Sequence, residues 1–101
     1  RAKVEAASGK TGERVWRLPL HQEYRDLMKS PVADILNSAP VRAAHTIQGA
    51  AFLSYFVEEG TSWCHLDIAG VHAVDSDKGP YVKNSATGFG VRLLAELIDS
   101  M

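Results

Sequence analysis

The apolar positions of this chain change their spacing several times, and each change marks a new element. Over 14–18, Val15 and Trp16 are flanked by arginines and Pro19 forbids continuation inside a sheet, which predicts a short strand. Over 21–29, Tyr24, Leu27 and Met28 stand at i, i+3 and i+4, the stripe of an amphipathic helix that Ser30 and Pro31 end. The stretch 32–36 is too short for a helix and suits a brief strand, closed by the polar turn Asn37-Ser38-Ala39-Pro40.

The longest helical pattern covers 43–58. Ile47, Ala50, Ala51, Phe52, Leu53, Tyr55, Phe56 and Val57 make it apolar nearly all round, and Gly60 supplies a stop. Such a helix needs walls on most sides. A short chain offers few, so part of its surround is expected on missing sequence or on another subunit.

Over 63–69 the period falls to two: Cys64, Leu66 and Ile68 share one face, and Trp63, His65, Asp67 and Ala69 the other. Gly70 ends this central strand. A turn-rich connection through Asp75, Ser76, Asp77, Gly79 and Pro80 leads to a last helix over 88–100, capped by Thr87 and striped by Val91, Leu94, Leu97, Ile98 and Met101. The first nine residues read as the tail of a helix stopped by Gly9. With Arg1 in first place, the expectation is a piece of something longer. Strands alternating with helices predict an α/β architecture with a mostly parallel sheet.

Composition narrows the function classes. With 46% hydrophobic and 23% charged residues the chain is globular rather than disordered, and 101 residues hold one modest core. A net charge of −1 offers no basic field for nucleic acid, and no apolar run reaches the ~20 residues of a membrane span. The single cysteine, Cys64, cannot close an intrachain disulfide, so a soluble, reducing compartment is expected.

Few residues are placed for chemistry. His65 and Asp67 project from one face near the carboxyl end of a strand, where open α/β sheets place their crevices. One His-x-Asp supplies too few ligands for a metal, so a buried histidine and a backbone-bonded aspartate are the simpler expectation. Asp34 has the same status. Cys64 shares its face with Leu66 and Ile68 and is expected to be a packed thiol, not a nucleophile. No serine lies in a Gly-x-Ser-x-Gly elbow. Thr87-Gly88-Phe89-Gly90, at a helix start, could cradle an anion or serve as a plain cap. His21, His45 and His72 lack metal-ligand spacing.

Three ordered segments carry a family resemblance. Glu13-Arg14-Val15-Trp16-Arg17-Leu18-Pro19-Leu20, Trp63-Cys64-His65-Leu66-Asp67-Ile68-Ala69-Gly70 and Ala86-Thr87-Gly88-Phe89-Gly90-Val91-Arg92-Leu93-Leu94 together resemble the C-terminal end of the leucyl aminopeptidase (cytosol aminopeptidase) family. The resemblance implies that 1–101 is the C-terminal portion of one catalytic-type α/β domain, part of a mostly parallel mixed sheet flanked by helices, with the upstream part absent. It implies a two-metal exopeptidase, holding zinc or manganese, that removes N-terminal residues from peptides.

The family's Asn-Thr-Asp-Ala-Glu-Gly-Arg metal motif and its catalytic lysines precede this region, so the resemblance implies no metal ligand and no catalytic group in this segment. It implies instead a wall of the substrate pocket, formed just after the His-Leu-Asp-Ile-Ala-Gly strand, at Ala69 and His72. Ala69 is small and leaves room for a leucine-sized group; His72 stands where apolar residues are common in the family. Implied partners are peptide substrates, the remainder of the chain's own catalytic domain and a homo-hexamer, in the cytoplasm or an organelle; the charge and the apolar run lengths above speak against nucleic acid and membrane.

Two loops depart from the family pattern. The glycines usual before the buried helix are absent from 37–45, and Lys83-Asn84-Ser85 stands where Pro-Lys-Gly is common. These departures motivate an alternative: a non-catalytic structural or assembly subunit derived from a degenerate aminopeptidase fold.

Overall fold

The computed structural model describes residues 1–80 and 83–101. They form two compact units, Arg1–Trp16 with Leu66–Met101, and Arg17–His65.

In the first unit, α1 (Ala2–Thr11) packs against α4 (Val91–Asp99). The buried side of this pairing holds Ala7, Ser8 and a fully enclosed Leu93, whose burial alone is worth roughly 1.5–3 kcal/mol. At its rim Lys10 Nζ donates to Glu96 Oε1 at 2.6 Å. The helix α1 does not stop at Gly9 as expected; it continues to Thr11 and ends at Gly12. There φ is +74°, and the Gly12 N–H closes on Ser8 O at 3.0 Å. A left-handed residue is needed at the cap, and an interior glycine costs only about 1 kcal/mol, so the cap decides the boundary.

The same unit holds the one ladder among the described residues, β1 (Ala73–Val74) antiparallel to β2 (Ser85–Ala86), with Ala73 opposite Ala86 and Val74 opposite Ser85. Helices and sheet keep the chain α/β, but the described residues form no parallel pairing.

The second unit packs α2 (Gln22–Asp26) against α3 (His45–Leu53), which continues as a 3₁₀ turn, Ser54–Phe56. The Tyr55 hydroxyl donates to Arg25 O at 3.0 Å, and the Arg25 guanidinium lies over the Tyr55 ring, 4.6 Å from its centre. Met28 and Ala51 are enclosed. Gln48 is buried too, its amide nitrogen donating to Val41 O and Ala43 O at 2.8 and 2.6 Å to fasten the loop before α3.

Three predicted strands, 14–18, 32–36 and 63–69, form no ladder. For the first two the competing bonds are local. Val15 N–H goes to Ser8 Oγ, and Val32 and Ala33 N–H both go to Ser30 Oγ, and 32–35 run as bends. The third has alternation but no neighbour to pair with. Two apolar stripes also fail to pack as expected. Val91, Leu94, Ile98 and Met101 of the last helix face outward, because α1 covers only the Leu93 side. The α3 segment, expected to be walled on most sides, buries only Gln48 and Ala51 and leaves Phe56 68% exposed.

Candidate functional site

The end of the predicted central strand and the residues after it build a tightly bonded turn. Asp67 begins it: its Oδ1 accepts from Ala69 N–H at 2.9 Å, the bond by which an aspartate folds the chain back on itself. Val71 and His72 N–H then both reach Ile68 O at 3.0 Å. His72 closes the turn a second time through its side chain, with Nδ1 2.7 Å from Ala69 O. Ala69 and His72 are thus brought together, and both are exposed.

Thr87 clamps this turn to the entry of α4. Its N–H donates to His72 O at 2.9 Å, its hydroxyl donates to Val71 O at 2.6 Å, and the same oxygen accepts from Phe89 N–H at 3.1 Å. The side chain expected to cap α4 therefore works one step earlier, tying two loops. Position 90 itself is a glycine at φ +97°, which brings no acceptor of its own.

The acceptor comes from far away in sequence. Glu13, only 5% exposed, places Oε2 at 3.1 Å from Gly90 N and 2.9 Å from Leu93 N, while Oε1 lies 3.5 Å from Arg92 Nε. An anion does sit at this helix start, where free N–H groups and the helix dipole favour one. It is the protein's own carboxylate, so the Thr87–Gly90 segment is a cap rather than a ligand cradle. Sequence reasoning missed Glu13. The available signal was a helix opening on Gly88-Phe89-Gly90 with no capping side chain at position 90, which leaves its N–H groups in need of an outside oxygen.

The other candidates fall apart. With no strand over 63–69, the shared face of His65 and Asp67 is not formed. The Asp67 carboxylate is committed to Ala69 N–H, and the His65 ring lies near Gly49, whose missing Cβ would stand 3.9 Å from Nε2. Cys64, expected to be packed, is exposed, since the alternation that would have buried it needs the strand. His21 stacks on Tyr24 with ring centres 6.1 Å apart. Among the described residues no three His, Cys, Asp or Glu side chains gather into a metal cage, so a two-metal centre does not fit the residues present. No helix of the described residues is long and apolar enough to cross a membrane.

Ion pairs shift three groups. The hydrogen bond and charge of Glu96 raise the Lys10 pKa; Lys29 and then Gln22 bonding lower that of Asp26; and Asp26 raises that of Lys29.

Residues 1–95 match the family model described as the cytosol aminopeptidase family, catalytic domain. The chain belongs to this family. It is 48% identical over 95 residues to a probable cytosol aminopeptidase of Cenarchaeum symbiosum, covering 92% of this chain and 19% of that protein. To a probable cytosol aminopeptidase of Chlorobium luteolum it is 46% identical, covering 94% and 18%. Among solved structures, cytosol aminopeptidase from Coxiella burnetii superposes with a TM-score of 0.87 at 34% identity, over 99% of this chain and 21% of that one. A variant of tomato leucine aminopeptidase gives 0.84 at 39% identity, over 99% and 18%. The chain thus spans about a fifth of the length of the family members it matches.

Proposed function

We propose that this chain is the C-terminal portion of the single catalytic domain of a two-metal leucyl aminopeptidase, an enzyme that removes N-terminal residues from peptides. The observation that carries the reading is the family match over 1–95 together with the turn Asp67–His72, whose bonds hold Ala69 and His72 side by side and exposed. On this reading the two residues form part of the pocket wall for the N-terminal side chain of the peptide. Ala69 leaves volume for a leucine-sized group.

Two divalent ions, zinc or manganese, supply Lewis acidity and an activated water in such an enzyme. The residues described here do not assemble a site for them, and no step is derived through them. This segment contributes shape: Asp67 and Thr87 hold the turn, and Glu13 holds the helix that Thr87 leads into.

The same reading gives the outward-facing apolar residues a role. Val91, Leu94 and Ile98 on one unit, and Phe56 on the other, would be covered by the remainder of the catalytic domain or by neighbouring copies in a homo-hexamer. The 63–69 segment would find its ladder partners there, in a mostly parallel sheet, within a cytoplasmic protein.

The alternative, a non-catalytic assembly subunit, is motivated by the changed loops at 37–45 and 83–85. At one of them the backbone supports the enzyme reading. Ser85 has φ +101°, a conformation favouring the glycine common there in the family, so the loop keeps the glycine-type bend despite the substitution. The test is cleavage of leucyl amide by the full-length protein, of verified mass, with and without added zinc or manganese. Metal-dependent release of leucine is expected. A folded, metal-loaded protein without activity would favour the assembly subunit.

A further inference from the structure

The contact between His72 Nδ1 and Ala69 O determines more than the position of the ring. A carbonyl oxygen has lone pairs and no hydrogen, so at 2.7 Å the bond exists only if Nδ1 carries the proton. In the neutral imidazole the second nitrogen, Nε2, is then an acceptor. None of the hydrogen bonds within the described residues engages it, and the residue is exposed. The backbone beneath is held as well: His72 N–H is bonded to Ile68 O and His72 O to Thr87 N–H. The ring therefore has little freedom to turn its acceptor elsewhere.

We infer that His72 makes this wall of the pocket a hydrogen-bond acceptor, so that N-terminal residues whose side chains donate a hydrogen bond are preferred over apolar isosteres: threonine over valine, and asparagine over leucine. The inference rests on the reading of Ala69 and His72 as pocket wall. Its physical basis is the asymmetry of a covered polar atom. When an apolar side chain displaces water from Nε2, the acceptor is left unpaired; when a donor side chain arrives, the bond is replaced. A methionine or leucine at position 72 could not make this distinction.

The experiment compares kcat/KM of the full-length protein and its His72→Met variant on threonyl, valyl, asparaginyl, leucyl and alanyl amides. All variants and amides are compared in one buffer at one pH. The threonyl-to-valyl and asparaginyl-to-leucyl ratios are expected to fall about two- to tenfold in His72→Met, the range of one neutral hydrogen bond. His72→Gln, whose amide oxygen can still accept, should retain much of the preference. If the methionine variant does not fold, His72→Leu gives the same comparison.

Isostere ratios that stay constant while the leucyl-to-alanyl ratio changes would leave His72 in the pocket and overturn the acceptor role. No change in any ratio would place His72 outside the pocket. A full-length protein inactive on all five amides would remove both readings.

Discussion

Glu13 and Leu93, eighty positions apart in the chain, are joined by a 2.9 Å hydrogen bond from the Leu93 amide to Glu13 Oε2, and the same oxygen also holds Gly90 N–H. A carboxylate bonded to two helix N-terminal amides replaces the missing capping side chain and is favoured by the helix dipole. Glu13→Ala should leave both amides unpaired beneath a buried surface, at a cost of about 1–3 kcal/mol. Hydrogen exchange at Gly90 and Leu93 in the full-length protein should accelerate roughly tenfold or more. Glu13→Gln, which keeps one acceptor oxygen, should show a smaller effect. Unchanged exchange in the alanine variant would mean that the cap contributes nothing.

Ser85 carries strain that a sequence alone can locate only by comparison. Its φ of +101° forces Cβ against the backbone, a cost of order 1–3 kcal/mol for a non-glycine residue. Ser85→Gly removes that strain but adds freedom to the unfolded chain, so the net expectation is a stabilisation of about 1 kcal/mol. Ser85→Val, branched at Cβ, should destabilise instead. Urea unfolding of the two full-length variants measures both signs, and a glycine variant less stable than the parent would refute the strain.

What could be read from the sequence follows where the decisive contacts are local. The last helix and the core of α3 appear within a few residues of their expected bounds, because a 3.6-residue apolar period needs no partner to be recognised. The strands expected over 14–18 and 32–36 do not form among the described residues, where Ser8 and Ser30 hydroxyls capture backbone donors a ladder would have used. Of the candidate site, Ala69 and His72 come from a family resemblance. The bonds from Asp67 and Thr87 that hold the turn join residues up to sixteen positions apart, and nothing in the spacing of either residue announces them.

The pair Asp26–Lys29 predicts a flat neutral region with two limbs. Asp26 titrates below its ordinary 3.8, so its contribution is complete above that value and is lost as pH falls through the lowered folded value. Lys29 titrates above 10.5, so its contribution is complete below that value and is lost as pH rises through the raised one. The stability difference between wild type and Asp26→Asn should therefore be constant from about pH 5 to 9 and shrink toward both extremes. Because both groups are on the surface, the difference should also diminish in high salt. A difference that grew on acidification would reverse the assigned direction for Asp26.

Ala69 offers the sharpest test of the pocket. Its side chain is exposed and its N–H and carbonyl are both engaged in the turn, so added volume at Cβ meets open space within this unit while the backbone stays anchored. Ala69→Leu in the full-length protein should therefore fold normally and fill the volume that a leucine-sized substrate group needs. One or two methylenes of misfit in an apolar pocket cost about ten- to a hundredfold in kcat/KM, whereas an alanyl group, too short to reach the new side chain, should lose less than about threefold. The leucyl-to-alanyl ratio is thus the quantity to measure, because a general loss of enzyme would lower both substrates together. An equal fall for both would take Ala69 out of the pocket and leave the Asp67–His72 turn with a purely structural task.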